Sequence, residues 1–209
     1  MKNVIAAFDF DGTLTKKDTF WAFLRHTCHP IRIAWNLFLF LPAMCLYWVG
    51  WVDNGRAKQR LFARFYKKWT LEAFDGYCRS FSGVVDGLIR SEVYQAMKRH
   101  QAEGHQVIIV SASIENWILP WAEKEGVETV LATRVECDSN GVLTGRFASL
   151  NCYGREKVRR ILDRFPERGS YTLFAYGDGR GDREMLEYAD GIGLGDSRLR
   201  GNDVGGHWI

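Results

Sequence analysis

The sequence predicts an α/β protein: a doubly wound, Rossmann-like parallel sheet with an all-helical cap inserted after its first strand. Three observations lead to this prediction. Short apolar runs such as Val4–Phe8 and Val107–Val110 are typical of strands buried on both faces. Segments with helical signals alternate with these runs. Polar side chains directly follow several of the runs, at the edge where open α/β sheets bind ligands.

The helical segment divides the chain into two predicted units. Residues 1–14 and 86–209 form the sheet with its helices, and residues 15–85 form the cap. A chain of 209 residues with 46% hydrophobic content is large enough for one main domain and a small insertion. Predicted helices cover 19–28, 57–69, 72–82, 86–103, 114–125, 155–165 and 183–189, and the remaining strands cover 129–132, 172–176 and 192–194.

Two carboxylates follow the first strand. Asp9 and Asp11 are separated by one residue, so they lie close together but point in different directions. One carboxylate can then attack an electrophile while the other transfers a proton. Gly12 allows a sharp turn after them. Such a stretch alone is also typical of turns and calcium loops, but its place at a strand end favours a ligand site.

Further polar residues stand at the ends of later elements. Ser111 follows the second strand, Lys157 lies in the first turn of a predicted helix, and Asp178 and Asp182 follow the strand 172–176. Each has an ordinary alternative: a helix cap, a solvated helix residue or a turn. Their joint order along a doubly wound sheet favours one common site.

In order, type and context these residues resemble the four motifs of the haloacid dehalogenase (HAD) superfamily of phosphohydrolases. The resemblance covers roughly residues 1–25 and 100–195. The hairpin signal around Asn140-Gly141, followed by Gly154–Lys157, is similar to the phosphoserine-phosphatase-like subclass IB.

The resemblance implies a phosphomonoester hydrolase that acts through an aspartyl-phosphate. Asp9 would be the nucleophile and Asp11 the general acid and base, while Lys157 would offset negative charge. Ser111 and the backbone amide of Ala112 would bind phosphoryl oxygens, the amide because a helix is predicted to begin directly after it.

A divalent cation is expected because a phosphate and several carboxylates repel one another. The hard oxygen ligands favour Mg²⁺. Asp9, the backbone carbonyl of Asp11, and Asp178 would bind it. Thr13 and Asp182 would orient these ligands without touching the metal.

The cap contains an uncharged apolar run, Ile33–Val52. It is long enough to span a bilayer, but site residues precede and follow it, so it cannot cross an odd number of times. Pro42 is predicted to split it into two pieces of ~15 Å each, a kinked hairpin that dips into one leaflet. Tryptophans and flanking arginines fit a membrane interface. The alternative is a pair of buried cap helices, packed on each other or on a second copy in a homodimer.

A membrane-facing cap is similar to the lipid-phosphate branch of this subclass, phosphatidylglycerophosphatase C, and favours a lipid or membrane-associated phosphate. A first alternative is a soluble, phosphoserine-phosphatase-like enzyme. Asp18 would then bind the substrate amine, although phosphoserine phosphatases have Glu there, and Arg56 would bind either class of substrate. A second alternative is a catalytically impaired membrane- or partner-binding module, because residues 196–209 depart from the family pattern.

The composition of the chain restricts the partners and the cellular compartment that we expect. The net charge of +3 without a basic, aromatic-rich stripe argues against nucleic acid as a partner. Five cysteines without a C-x-x-C motif are typical of free thiols in a reducing cytosol. The first apolar run is too short for a signal peptide. We therefore expect a cytoplasmic protein, peripheral on the inner face of the membrane if the cap binds lipid.

Overall fold

The computed structural model describes residues 3–48 and 54–193, without the side chains of residues 40–48 and 54. The predictions for residues 49–52 and for the segment 194–209 lie outside the described residues. The strands are β1 (Asn3–Phe8), β2 (Gln106–Ile114), β3 (Thr129–Thr133), β4 (Val135–Cys137), β5 (Leu143–Phe147), β6 (Tyr171–Tyr176) and β7 (Gly191–Ile192). The helices are α1 (Thr19–Thr27), α2 (Pro30–Trp48), α3 (Asn54–Tyr66), α4 (Leu71–Asp86), α5 (Ser91–Ala102), α6 (Glu115–Lys124), α7 (Arg155–Arg164) and α8 (Arg183–Tyr188).

Five strands form one parallel sheet in the order β3-β2-β1-β6-β7. Strand β1 lies at its centre, where Phe8 pairs with Ile109 on one side and Tyr176 on the other. The sheet order reverses direction at β1, so the carboxyl ends of β1, β2 and β6 meet at one edge. The predicted doubly wound α/β fold is confirmed.

Alternate residues of the central strands enter two separate cores. Ala6 and Phe8 face the core shared with α1, α3, α4, α5 and α6, whereas Ile5 and Ala7 face the core shared with α7 and α8. Strands covered on both faces need apolar residues at every position, which explains the continuous apolar run of β1.

Helices α1–α4, here called the helical insertion, lie between β1 and α5. The chain leaves the sheet domain and returns to it through two short segments that pair antiparallel. Thr15 pairs with Ile89, and the Lys16 amide donates to the carbonyl of Leu88. These paired segments correct the predicted helix 86–103, because residues 88–90 pair with the chain that follows β1. Helix α5 therefore begins at Ser91.

Aromatic rings fill the interior of the helical insertion and join it to α6. Phe23 lies 5.5 Å from Tyr66, 5.1 Å from Phe81 and 4.8 Å from Trp117, measured between ring centroids. These side chains are fully buried. Since Trp117 belongs to α6, the insertion packs directly on a helix of the sheet domain.

Helix α2 contains most of the apolar run. It continues without interruption from Pro30 through Pro42 to Trp48, so the predicted division at Pro42 is wrong for the described residues. A proline removes only one donor and bends a helix without always ending it. Across residues 3–48 and 54–193, no helix combines the length and the hydropathy needed to cross a membrane.

The predicted hairpin is present as β4 and β5, which pair antiparallel. Its loop is longer than the two residues of Asn140-Gly141, because Cys137 pairs with Leu143. The carboxylate of Asp138 accepts hydrogen bonds from the amides of Asn140 and Val142 and closes this loop.

Candidate active site

The loop that follows β1 carries the first site residues. The amide of Asp9 donates to the carbonyl of Tyr176 at 2.9 Å, which extends the sheet by one residue, and Asp9 is 6% exposed. Gly12 has a φ of +83°, and a Cβ there would lie 2.8 Å from Oδ1 of Asp178. A glycine therefore permits the turn and lets the β1 and β6 loops approach each other.

Lys157 reaches the same point from the first turn of α7. Its Nζ donates to Oδ1 of Asp9 at 2.6 Å, to Oδ1 of Asp182 at 2.5 Å and to the carbonyl of Val110 at 2.7 Å. The lysine is 1% exposed. Burial alone would lower the pKa of Lys157, but the two carboxylates outweigh it and raise that pKa above its usual value.

The same burial acts on the partner carboxylate. The pKa of Asp9 is raised to about 7, mainly by burial. The charge of Lys157 opposes this rise, and the charge of Asp182 adds to it. The ion pair with Lys157 thus opposes the desolvation that would keep Asp9 protonated.

Asp11 points away from Asp9, as its spacing predicts. Oδ1 of Asp11 accepts hydrogen bonds from the amide and the hydroxyl of Thr19, at 2.9 and 2.6 Å. Its Oδ2 accepts a hydrogen bond from the hydroxyl of Ser113. Thr19 and Ser113 belong to no sequence motif and were missed, because their contact with Asp11 arises only when α1 and the end of β2 come together.

Ser111 lies at the end of the regular part of β2 and is 1% exposed. Its Oγ accepts a hydrogen bond from the amide of Ser113 at 3.1 Å. The expected helix start directly after Ala112 is wrong: the strand continues irregularly to Ile114, and α6 begins at Glu115. The Ala112 amide therefore does not belong to a helix N-terminus, although Ala112 lines the same cavity as Ser111.

Three carboxylates meet beside Lys157. Oxygen atoms of Asp9, Asp178 and Asp182 all lie within 4.8 Å of one another, and such an oxygen set suits Mg²⁺. Both oxygens of Asp182 are already engaged, one with Lys157 and the other with the amides of Asp178 and Gly179. Asp182 is thus placed to orient neighbours, and Thr13 spans Asp9 and Asp178 through its hydroxyl at 3.3 and 3.5 Å.

A family model described as haloacid dehalogenase-like hydrolase matches residues 6–187, which include all of these side chains. The chain belongs to the haloacid dehalogenase-like hydrolase family. The family match confirms the resemblance drawn from the motifs, and it makes this site the candidate active site of a HAD hydrolase.

Comparison with individual proteins supports the same assignment. The chain is 34% identical over 188 residues to Protein CicA of Caulobacter vibrioides, covering 90% of this chain and 83% of that protein. A relative from Mycobacterium tuberculosis, 34% identical over 107 residues (50% of this chain and 36% of that protein), is named a phosphatase. The prediction that this chain is a hydrolase of the HAD family is confirmed, and the phosphatase reaction and its substrate are left to proposal.

Solved structures share the fold. A protein of unknown function from Bordetella pertussis Tohama I superposes with a TM-score of 0.79 at 22% identity, over 92% of this chain and 89% of the other. A phosphoserine phosphatase, solved as a phospho-aspartyl intermediate analogue, gives a TM-score of 0.59 at 18% identity, over 92% and 86%. The chain therefore shares the fold of a phosphoserine phosphatase, as the resemblance to that subclass predicts. The phosphatidylglycerophosphatase C branch stays a prediction.

In this HAD chain a cavity of about 570 Å³ connects the catalytic edge with the helical insertion. Its floor is polar and contains the candidate catalytic and metal-binding residues. Its opposite wall is mostly apolar and comes from the insertion: Phe20, Trp21, Leu37, Ala57 and Leu61. The group attached to a bound phosphate would contact this wall.

Two residues of the insertion were predicted to bind substrate, and only one lines this cavity. Asp18 does so while capping α1, because its Oδ1 accepts a hydrogen bond from the amide of Phe20 at 2.8 Å. Arg56 is exposed and lines a neighbouring pocket with Phe147 and Glu156 instead.

Lys58, which the motif analysis did not select, lines the cavity in place of Arg56. Residues two apart on a helix point to different sides, so α3 cannot direct both side chains into one pocket. Nζ of Lys58 donates to the carbonyl of Ala112 at 2.8 Å. Burial lowers the pKa of Lys58, partly offset by the charges of Asp11 and Asp18. The spacing of Ala57, Lys58 and Leu61 on one helical face was the available signal.

Proposed function

We propose that the chain is a Mg²⁺-dependent phosphomonoester hydrolase that acts through an aspartyl-phosphate on Asp9. The observation that carries the proposal is the buried contact of Asp9 with Lys157, beside Asp178 and at the floor of the cavity. The Asp9 carboxyl group is held where a bound phosphate would also contact a lysine and a serine, beside carboxylates that could bind a cation.

The chemistry then divides into two steps. A carboxylate oxygen of Asp9 attacks phosphorus, the ester P–O bond breaks, and the leaving alkoxide takes a proton from Asp11. Water then attacks the acyl phosphate, gives a proton to Asp11, and releases inorganic phosphate with Asp9 restored. Mg²⁺ held by Asp9, Asp178 and the Asp11 carbonyl would neutralise phosphoryl charge.

The remaining site residues would bind or orient groups, and no covalent bond to them would form or break. Ser111 and the Ala112 amide would donate to phosphoryl oxygens, and Lys157 would balance the charge between the phosphate and Asp9. Thr19 and Ser113 hold Asp11 through its two oxygens, which fixes the direction in which it offers a proton.

Trapping of the intermediate tests the reaction. With Mg²⁺, the wild type should bind beryllium fluoride at Asp9 and hydrolyse a chromogenic phosphate, and chelation should abolish both. Asp9→Asn should do neither, whereas the matched variant Asp163→Asn, on the exposed side of α7, should behave as wild type. Full turnover in Asp9→Asn would overturn the mechanism.

For the substrate, we propose a phosphate monoester on a lipid or membrane-associated molecule, with residues 15–85 acting as a cap. Helix α2 supports this choice because it presents Leu37 to the cavity while Trp35, Phe38 and Leu39 are exposed on the same helix. Exposed side chains of this size commonly mark an interaction surface. A lipid whose head group enters the cavity would keep its chains beside this face, so the protein would be peripheral on the inner face of the membrane.

Vesicle sedimentation tests the lipid proposal. Wild type should pellet with anionic vesicles, and Phe38→Glu with Leu39→Glu should release it, because each charge in the hydrocarbon costs ~3 kcal/mol. Hydrolysis of a small water-soluble phosphate should be retained. Leu150→Glu, a single change of the same kind at a residue exposed elsewhere, is the control. Equal sedimentation of both variants would contradict the proposal.

A second candidate is a soluble amino-acid phosphatase of the phosphoserine phosphatase kind. Asp18 and Lys58 place a negative and a positive group in the same cavity, as an amine and a carboxylate on one substrate require. Turnover of phosphoserine that falls in Asp18→Asn, without any turnover of vesicle-borne phosphates, would favour this candidate.

A further inference from the structure

The last turn of α5 and the loop that joins it to β2 contain two histidines and a glutamate that no step of the proposed reaction uses. Nδ1 of His100 lies 2.8 Å from Nδ1 of His105, and Nδ1 of His105 lies 3.3 Å from a carboxylate oxygen of Glu103. One ligand atom from each residue thus falls within 4.8 Å of the others. Three donors converge on one point near the surface.

This point is separate from the catalytic edge. His105 immediately precedes β2, and its neighbour Gln106 pairs with Ile5 of β1. Asp9 follows β1 four residues further on, a distance of ~13 Å along a strand. The cluster therefore lies toward the opposite end of the sheet, and an ion bound there would not share ligands with the phosphate site.

The ring of His100 is oriented by a contact of the kind that a metal ligand needs. Nε2 of His100 lies 2.8 Å from the hydroxyl of Tyr176, and His100 as a whole residue is 9% exposed. A ligating histidine is commonly held through its second nitrogen in this way, which leaves the first nitrogen for the metal. Tyr176 is itself fixed, stacked on Phe8 with 4.2 Å between the ring centroids.

We propose that His100, Glu103 and His105 form a second metal site that takes a Zn²⁺-like transition ion. Two imidazole nitrogens and one carboxylate oxygen are a donor set typical of zinc, whereas Mg²⁺ and Ca²⁺ prefer oxygen alone. The site goes beyond the proposed phosphatase reaction and does not depend on it.

Zinc binding would require a small change in the distance between the two histidine nitrogens. Zn–N bonds of 2.0–2.1 Å place two tetrahedral ligand nitrogens ~3.3 Å apart, so the histidine rings must separate by about 0.5 Å. The side chain of His105 is 23% exposed and that of Glu103 62% exposed, which leaves both free to move this far. Three protein ligands leave a fourth position for water on the exposed side.

Calorimetric titration of the full chain with Zn²⁺ tests the proposal, with excess Mg²⁺ present to occupy the all-oxygen site. The wild type should bind one Zn²⁺ per chain at the histidine cluster. His105→Gln and Glu103→Gln should each weaken that binding at least ~10-fold, and Tyr176→Phe by a similar factor through loss of orientation. His29→Gln, at an exposed histidine of the insertion, is the control and should bind as wild type.

Cobalt provides a direct readout of the ligands. Co²⁺ in place of Zn²⁺ should give the wild type a visible absorption band that His105→Gln lacks, while both proteins keep the same phosphatase rate in Mg²⁺. Glu103→Gln, at an exposed carboxylate, serves if His105→Gln does not fold. Absence of zinc binding by the wild type, or equal binding by the folded variants, would overturn the proposal.

Discussion

Lys157 and Asp9 form an ion pair of 2.6 Å between side chains that are almost fully buried. Burying two charges is costly unless further bonds compensate. Here Asp182 and the Val110 carbonyl accept the remaining hydrogens of the ammonium group. The contact joins residues 148 positions apart, so it ties α7 to β1 as well as setting the charge of the nucleophile.

Replacing Lys157 with Met should reduce turnover by ~10²–10³, the usual effect of losing one electrostatic donor. It should also destabilise the protein by ~3–5 kcal/mol, because Asp9 and Asp182 would stay buried without a cation. Steady-state kinetics and urea unfolding measure the two effects. Unchanged turnover in a folded Lys157→Met protein would contradict the role of the lysine.

Replacing Asp11 with Asn should lower the rate by ~10²–10⁴ on an alkyl phosphate, since a positioned acid–base group contributes that much. The loss should be smaller on nitrophenyl phosphate, whose leaving group needs no proton. Mg²⁺ affinity should persist, because the proposed ligand is the Asp11 backbone carbonyl. An equally steep loss on both substrates would rule out the leaving-group role.

Replacing Gly12 with Ala should weaken Mg²⁺ binding and lower stability. The new Cβ would meet Asp178 at 2.8 Å, and an L-residue is strained at the φ of +83°. Metal titration and thermal unfolding provide the measurements. Gly83→Ala in α4 is the control: nothing lies within 4 Å of its Cβ position, and alanine should stabilise that helix by up to ~1 kcal/mol.

Replacing Lys58 with Met should change the preference among substrates more than the rate of the chemical step. The side chain lies in the cavity, where its ammonium group donates to the Ala112 carbonyl. KM for a phosphate ester with a second anionic group should rise, whereas the rate on phenyl phosphate, which has no charged group besides its phosphate, should change little. Arg60→Met, on the exposed side of α3, is the control. An equal loss on every substrate would place Lys58 in the reaction itself.

Replacing Glu156 with Gln should lower stability in a pH-dependent way. Hydrogen bonds from Arg159 lower the pKa of Glu156 below its usual 4.5, with Arg160 adding to the effect. A lowered pKa stabilises the fold above pH 4.5, and the gain is lost as the pH falls through the native pKa. The difference from wild type should therefore be ~1 kcal/mol at pH 7 and vanish in acid.

Chemical denaturation at several pH values tests this dependence. Glu187→Gln removes an exposed pair with Arg183 and should change stability by less than ~0.5 kcal/mol at every pH. A difference for Glu156→Gln that grows in acid would show that the sign is wrong.

The residues at strand ends were predictable from the sequence. Asp9 and Ser111 directly follow apolar runs typical of buried strands, and Asp178 lies two residues after a third such run. Parallel strands place their carboxyl ends at one edge of the sheet. Lys157 was identified by its place in a helix start and by resemblance. These are local signals, and the structure brings all four residues to one cavity.

Features that depend on contacts between distant segments were not predictable in this way. Lys58 replaces Arg56 at the cavity because of the rotation of α3, which the sequence does not specify. The end of α4 at Asp86 follows from pairing between residues 15 and 89. Helix α2 passes through Pro42 although local rules favour a break there.

The hairpin of β4 and β5 restrains the helical insertion. Leu143 exchanges backbone hydrogen bonds with Lys68 and Trp69, the Leu71 amide donates to Gly141, and the Phe147 amide donates to Gln59. At ~1 kcal/mol each, swinging the insertion outward as a rigid lid would cost several kcal/mol. Substrate entry and phosphate release should therefore proceed through rotamer changes at the opening of the cavity. The size of the substrate would then be limited by the shape of this opening and not by a hinge motion of the insertion.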